Sequence, residues 1–85
     1  MKEFTVTVKD PVGIHARPAG LLVKETSKYE SSVTLSHNGK TADGKRIFSV
    51  MGLAVKYGDA LKITINGNDE EKATEGLKTF FENNL

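Results

Sequence analysis

The stretch "SVTLSHNGKTAD", from Ser32 to Asp43, decides the fold. Val33 and Leu35 alternate with polar neighbours, the period of a strand with one buried face. Asn38-Gly39 then supplies two residues that tolerate positive φ, as a two-residue hairpin turn demands. Residues 32–37 are therefore expected to pair with residues 40–43. His37 falls at the strand end near the hairpin and reads as a surface residue with no assigned function.

Working outward, Phe4, Val6 and Val8 alternate with Thr5 and Thr7 in a first half-buried strand. Beyond the turn-forming Asp10, Pro11 and Gly13, the residues Ala19, Leu22, Val23 and Thr26 recur at helical spacing. They predict an amphipathic helix over 16–28 with Lys24, Glu25 and Lys28 outside. After the hairpin, Ile47, Val50, Met51 and Ala54 predict a short second helix, which leaves Phe48 and Met51 as apolar surface toward one side. Leu61, Ile63 and Ile65 alternate with Lys62 and Thr64 as a last strand, closed by Asn66-Gly67. Asn68 fits an N-cap, with Glu71 completing a capping box and Asp69 and Glu70 adding charge that favours a helix start. A third helix over 69–83 then offers Ala73, Leu77, Phe80 and Phe81 to a sheet face. The order βαββαβα makes an α+β fold, a four-stranded antiparallel sheet with three helices on one face.

The 85 residues are expected to form a single domain, with enough buried surface for one modest core. A net charge of +1 and 27% charged residues describe an ordinary globular chain with no bias toward nucleic acid. Neither an N-terminal apolar stretch nor a membrane-length segment is present, so a cytoplasmic protein without membrane insertion is expected. The lack of cysteine excludes disulfides and thiolate metal sites.

The chemistry concentrates in "GIHARPAG", Gly13 to Gly20. His15 stands where an N-cap would, so the backbone N–H groups of Ala16 and Arg17 lack helical partners and face an anion. Pro18 suits the first turn, where its missing N–H removes no hydrogen bond. Arg17 brings a permanently charged planar fork matched to phosphate oxygens. At neutral pH an ordinary imidazole is largely a free base with a nucleophilic nitrogen.

Gly13-Ile14-His15-Ala16-Arg17-Pro18-Ala19 resembles the active-site signature of the HPr family, the histidine-containing phosphocarriers of the bacterial phosphotransferase sugar-uptake system. The resemblance continues through the Asn38-Gly39 hairpin, Ile47-Phe48, Lys62-Ile63-Thr64 and Gly67 to Glu71. It implies an open-faced β-sandwich and a carrier instead of an enzyme. It further implies that His15 receives a phosphoryl group on Nδ1 from phosphorylated enzyme I and passes it to IIA units of sugar permeases, with Arg17 steadying the phosphate. No cofactor or metal is implied, and a monomer suffices. A carrier that meets successive partners briefly needs a small apolar patch ringed by positive charge. Leu21, Ile47, Phe48 and Met51 are candidates for the patch, with Lys24, Lys28, Lys45 and Arg46 for the rim.

Two departures stand out. Arg46 occupies the position of the serine that a dedicated kinase modifies in some relatives, and Ser49 takes that place only if gaps are introduced. Val12 and Leu21 are apolar where relatives often carry polar residues, which leaves open a specialised or nitrogen-regulatory phosphotransfer chain. Rival readings are weaker. Gly39 to Lys45 mimics a P-loop, but Arg46 replaces the magnesium-holding hydroxyl and the stretch runs through a hairpin. An RNA-binding module lacks the aromatic stacking cluster on a strand. His15 and His37 lie in different elements without paired metal-ligand spacing.

Overall fold

The computed structural model describes residues 1–85. The chain runs β1 (Lys2–Thr7), α1 (Ala16–Thr26), β2 (Ser32–His37), β3 (Lys40–Asp43), α2 (Ile47–Gly52), β4 (Ala60–Asn66) and α3 (Glu70–Asn84). The hairpin forms as its residues dictate: Asn38 and Gly39 both adopt positive φ, at 50° and 79°, and His37 pairs with Lys40.

The strands lie in the order β1-β4-β2-β3, all neighbours antiparallel. β4 is therefore central, with Leu35 beside Ile63 on one side and Phe4 beside Ile63 on the other. Val33, Leu35, Leu61, Ile63 and Ile65 all point to the same covered face and are buried. Burial of each such aliphatic side chain contributes on the order of 1.5–3 kcal/mol. The alternate residues, among them Thr5, Thr34 and Lys62, remain exposed on the open face of the sheet.

Leu22 and Ala19 of α1, Val50 of α2, and Ala73, Leu77 and Phe81 of α3 complete the core. Phe81 meets Phe4 and Phe80 edge-on at centroid distances of 6.4 and 5.7 Å, which fastens α3 over β1.

Four expectations are corrected. Helix α1 stops at Thr26 instead of 28: Ser27 takes the C-cap position, and the Lys28 and Tyr29 N–H groups bond only three residues back, to Glu25 and Thr26. Helix α2 ends at Gly52, so Ala54 is not on its stripe; it is exposed, with φ of 54°. Helix α3 is capped at Asp69, not Asn68, and starts at Glu70. Asp69 turns its carboxylate away from its own helix to accept N–H bonds from Glu30 and Ser31, both at 2.9 Å, and the Ser31 hydroxyl. Finally, His37 is a buried residue, only 7% exposed. Counting by twos from Val33 and Leu35 puts it on the covered face, and both its ring nitrogens have partners.

Candidate functional site

The loop that presents His15 is built by three devices. Asp10 accepts the Val12 N–H on its carboxylate at 2.9 Å and the Gly13 N–H on its carbonyl at 2.9 Å, a tight turn through Pro11. Gly13 takes φ of 79°, and a Cβ there would lie 2.4 Å from the Val55 carbonyl oxygen, so both conformation and space require glycine. Ile14 buries its side chain and donates its N–H to the same Val55 carbonyl at 3.0 Å. The chain is thus clamped immediately before His15.

His15 follows as the N-cap of α1, in extended conformation at φ −103° and ψ −167°. Its carbonyl accepts the Ala19 N–H at 2.9 Å, the first bond of the helix. Its imidazole makes no capping bond, which leaves the ring free. The N–H groups of Ala16 and Arg17 have no acceptor within the chain, and Pro18 has none to offer. No acidic residue occupies this first turn, so the positive end of the helix dipole is uncompensated.

His15 is half-buried and Arg17 exposed, and the two share a shallow open crevice with Asp10, Pro18 and Asn83. No carboxylate lies within ion-pair distance of the Arg17 guanidinium. The crevice therefore brings together the unbonded His15 ring and the unpaired Arg17 cation, at a helix start where the Ala16 and Arg17 N–H groups lack acceptors. Unpaired N–H donors at a helix start and a guanidinium are chemically suited to a tetrahedral anion. Asp10 and the α3 end, Asn83 and Asn84, were not read from sequence as parts of this crevice. Asp10 carried a signal as a turn former, whereas the approach of the α3 end is a tertiary outcome.

The candidate partner surface separates into two kinds of residue. Phe48 is 83% exposed and Leu21 is 42% exposed, the kind of apolar surface that marks a contact site. Ile47 and Met51 are half-buried and pack against the core, so each divides its surface between the interior and the patch. Helices α1 and α2 meet closely here: a Cβ on Gly20 would lie 3.7 Å from the Ile47 Cδ1. Among the rim cations, Lys24 is exposed and unpaired. Lys28 bonds Glu25 at 2.9 Å, which raises its pKa above the ordinary lysine value, and Lys45 donates to the Tyr29 carbonyl at 2.7 Å. Arg46 stands at the N-cap of α2 with Asp43 3.6 Å away, and the Ser49 hydroxyl accepts the Asp43 N–H at 3.1 Å.

The P-loop-like stretch from Gly39 to Lys45 passes from the hairpin turn through β3 into the loop before α2, so it forms no strand-to-helix phosphate cradle. No group of three or more histidine, cysteine or carboxylate side chains converges as a metal set. No helix is long and apolar enough to cross a membrane.

Comparison with known proteins gives this geometry its context. The family model for the PTS HPr component phosphorylation site matches residues 2–83. The chain belongs to the HPr family. It shares 41% identity with the phosphocarrier protein HPr of Mycoplasma capricolum, over 92% of this chain and 88% of that one. The crystal structure of HPr from Thermoanaerobacter tengcongensis superposes with a TM-score of 0.94 at 37% identity, covering 99% and 94% of the two chains. Crh of Bacillus subtilis, a catabolite-repression protein crystallised as a swapped dimer, matches with a TM-score of 0.78 at 35% identity, over 94% and 92%. As an HPr, the chain is a phosphocarrier of the phosphotransferase system and not an enzyme. The four-stranded antiparallel sheet with three helices is the HPr fold.

Proposed function

We propose that His15 accepts a phosphoryl group from phosphorylated enzyme I and hands it to the IIA units of sugar permeases. The observation that carries this reading is the uncapped, half-buried imidazole of His15 beside two unpaired N–H donors and the unpaired Arg17. In the acceptance step a ring nitrogen, Nδ1 by family resemblance, forms a bond to phosphorus while the bond from phosphorus to the donor breaks. The donor keeps that electron pair. The ring then carries roughly −1.5 to −2 charges on its phosphoryl oxygens, by analogy with phosphorylated hydroxyls. The Ala16 and Arg17 N–H groups and the positive end of α1 face that charge, and the Arg17 fork neutralises it. Transfer onward reverses the same step.

The open crevice supports this role, because a carrier must let two different active sites reach its histidine. Phe48 and Leu21 supply the apolar centre of the docking surface, Ile47 and Met51 its shoulders, and Lys24 and Arg17 unpaired charge for acidic partners. The molecule acts as a monomeric single domain in the cytoplasm. It is not a substrate for a serine kinase at the start of α2: Arg46 has no hydroxyl, and the Ser49 hydroxyl is engaged by Asp43.

The test is incubation with enzyme I and labelled phosphoenolpyruvate. An acid-labile, base-stable adduct that disappears in His15→Ala is the expected result. Absence of any adduct overturns the reading.

A further inference from the structure

The buried ring of His37 sits between two groups that can only accept. Nδ1 lies 3.1 Å from the Leu53 carbonyl oxygen, and Nε2 lies 2.9 Å from Oδ2 of Asp59. The Lys56 N–H donates to the same carboxylate at 2.9 Å, and that bond, followed by the one from His37, holds the Asp59 carboxyl below the ordinary carboxylate range. A carbonyl and an ionised carboxylate both require a donor. A singly protonated imidazole donates once and leaves its other nitrogen lone pair facing an oxygen lone pair. Only the imidazolium satisfies both contacts. Lys56 and Lys40 are the cations around the ring, and Asp59 is the anion.

The two anchor points, Leu53 and Asp59, bracket the segment that clamps the loop before His15. Ala54 follows Leu53 directly and is held at φ of 54°, a left-handed conformation disfavoured for any residue with a Cβ. Val55 comes next, and its carbonyl is the acceptor of the Ile14 N–H and the surface against which Gly13 is wedged. At the far end the Asp59 carbonyl accepts the Val8 N–H at 2.9 Å, and the Val8 carbonyl accepts the Gly58 N–H at 2.8 Å. The chain of contacts therefore runs from the ring to the Leu53 carbonyl, through the strained Ala54 to the Val55 carbonyl, and from there to Ile14 and His15.

We propose that doubly protonated His37 is a positioning residue for His15, holding the 53–59 segment so that Val55 fixes the acceptor loop. This rests on the reading of His15 as phosphoryl acceptor. When the ring loses a proton, one of its two bonds is lost, Ala54 is freed to leave its strained conformation, and the Ile14 clamp loosens.

The test uses two readouts on the full chain across roughly pH 5.5–8.5, the range in which a histidine changes charge. The first is hydrogen exchange at the Ile14 amide, corrected for intrinsic rates and referenced to the Leu35 amide in β2. It is expected to speed up by about tenfold as pH rises, the worth of about one charge-assisted hydrogen bond. His37→Gln removes this pH dependence, and Asp59→Asn moves it to lower pH by withdrawing the anion. The second readout is the rate of phosphoryl acceptance from enzyme I. His37→Gln is expected to be several-fold slower than the unsubstituted chain at the acid end and equal to it at the alkaline end. A ratio that does not change with pH, or Ile14 exchange flat with pH, overturns the role of His37 while acceptance itself leaves His15 in place. A chain that accepts no phosphoryl group at any pH overturns both.

Discussion

The starts of α1 and α3 are the same structural problem solved in opposite ways. Each helix exposes unpaired N–H groups and a positive dipole end. At α3 the chain answers the dipole with its own charge: Glu70 and Glu71 stand in the first turn, although the Asp69 side chain makes no capping bond, and Glu70 reaches back to accept the Gly67 N–H at 3.1 Å. Asp69 locks the same corner to the loop before β2 through Glu30 and Ser31. At α1 there is no acid, and a proline stands within the first turn. The difference teaches that an unsatisfied helix start is not a defect here. The α3 start carries acids against its dipole and the α1 start carries none, which fits the proposed arrival of an anion beside His15.

The comparison can be broken most severely at Gly13. Gly13→Ala forces a Cβ to 2.4 Å from the Val55 oxygen at a left-handed φ. Overpacking of about 1–3 kcal/mol plus about 1–2 kcal/mol of backbone strain should lower the melting temperature by about 10 °C or more. Calorimetry checks it. Next in size is Arg17→Ala, which leaves the open helix start in place but removes its cation. Acceptance from enzyme I should slow by about 10- to 100-fold, the worth of a charge-assisted bond pair, with thermal stability unchanged.

At the closed start, Asp69→Asn probes the acid side. In the folded chain the Asp69 carboxyl is lowered from 3.8 to about 2, first by the Ser31 hydroxyl and then by the Glu30 N–H. A depressed carboxyl stabilises the fold above its ordinary pKa and loses that contribution as pH falls through the folded value. The unsubstituted chain should therefore lose stability between about pH 4 and 2 more steeply than Asp69→Asn, as acid titration followed by circular dichroism will show. Asp69→Asn should leave phosphoryl acceptance intact. The smallest effect is expected from Glu71→Gln, an exposed first-turn charge worth about 0.3–1 kcal/mol against the dipole and reduced further by salt. Urea unfolding at low and high ionic strength measures it.

Local pattern made most of the fold legible. Alternation in Phe4, Val6, Leu61, Ile63 and Ile65, and the Asn38-Gly39 turn, act within a few residues, so the strands and the hairpin could be read directly. The signature around His15 was legible for the same reason, since N-cap, N–H donors, Arg17 and Pro18 are consecutive. Where the reading failed, distant partners decided. Asn68 and Asp69 are equally good caps in isolation, and Ser31 settles the choice by claiming the Asp69 carboxylate. The end of α1 is instead a local change, the Lys28 and Tyr29 N–H groups bonding three residues back, which a stripe of apolar residues does not encode. His37 is a different case. Its parity with Val33 and Leu35 points to the covered face, but its place at the strand end beside the hairpin argued for the surface, and only Leu53 and Asp59 show how a polar ring is kept inside.

The central position of β4 has a consequence for how the protein comes into being. β1 and β2 never pair with each other; each pairs with β4. A ribosome that has released His15, Arg17 and the whole of α1 has released a site that does not yet exist, because the clamp at Val55 and the strand at residues 60–66 are still to come. The loop before His15 is therefore expected to gain its clamp late in translation, and a chain interrupted before Val55 holds the complete signature without the contact that fixes it.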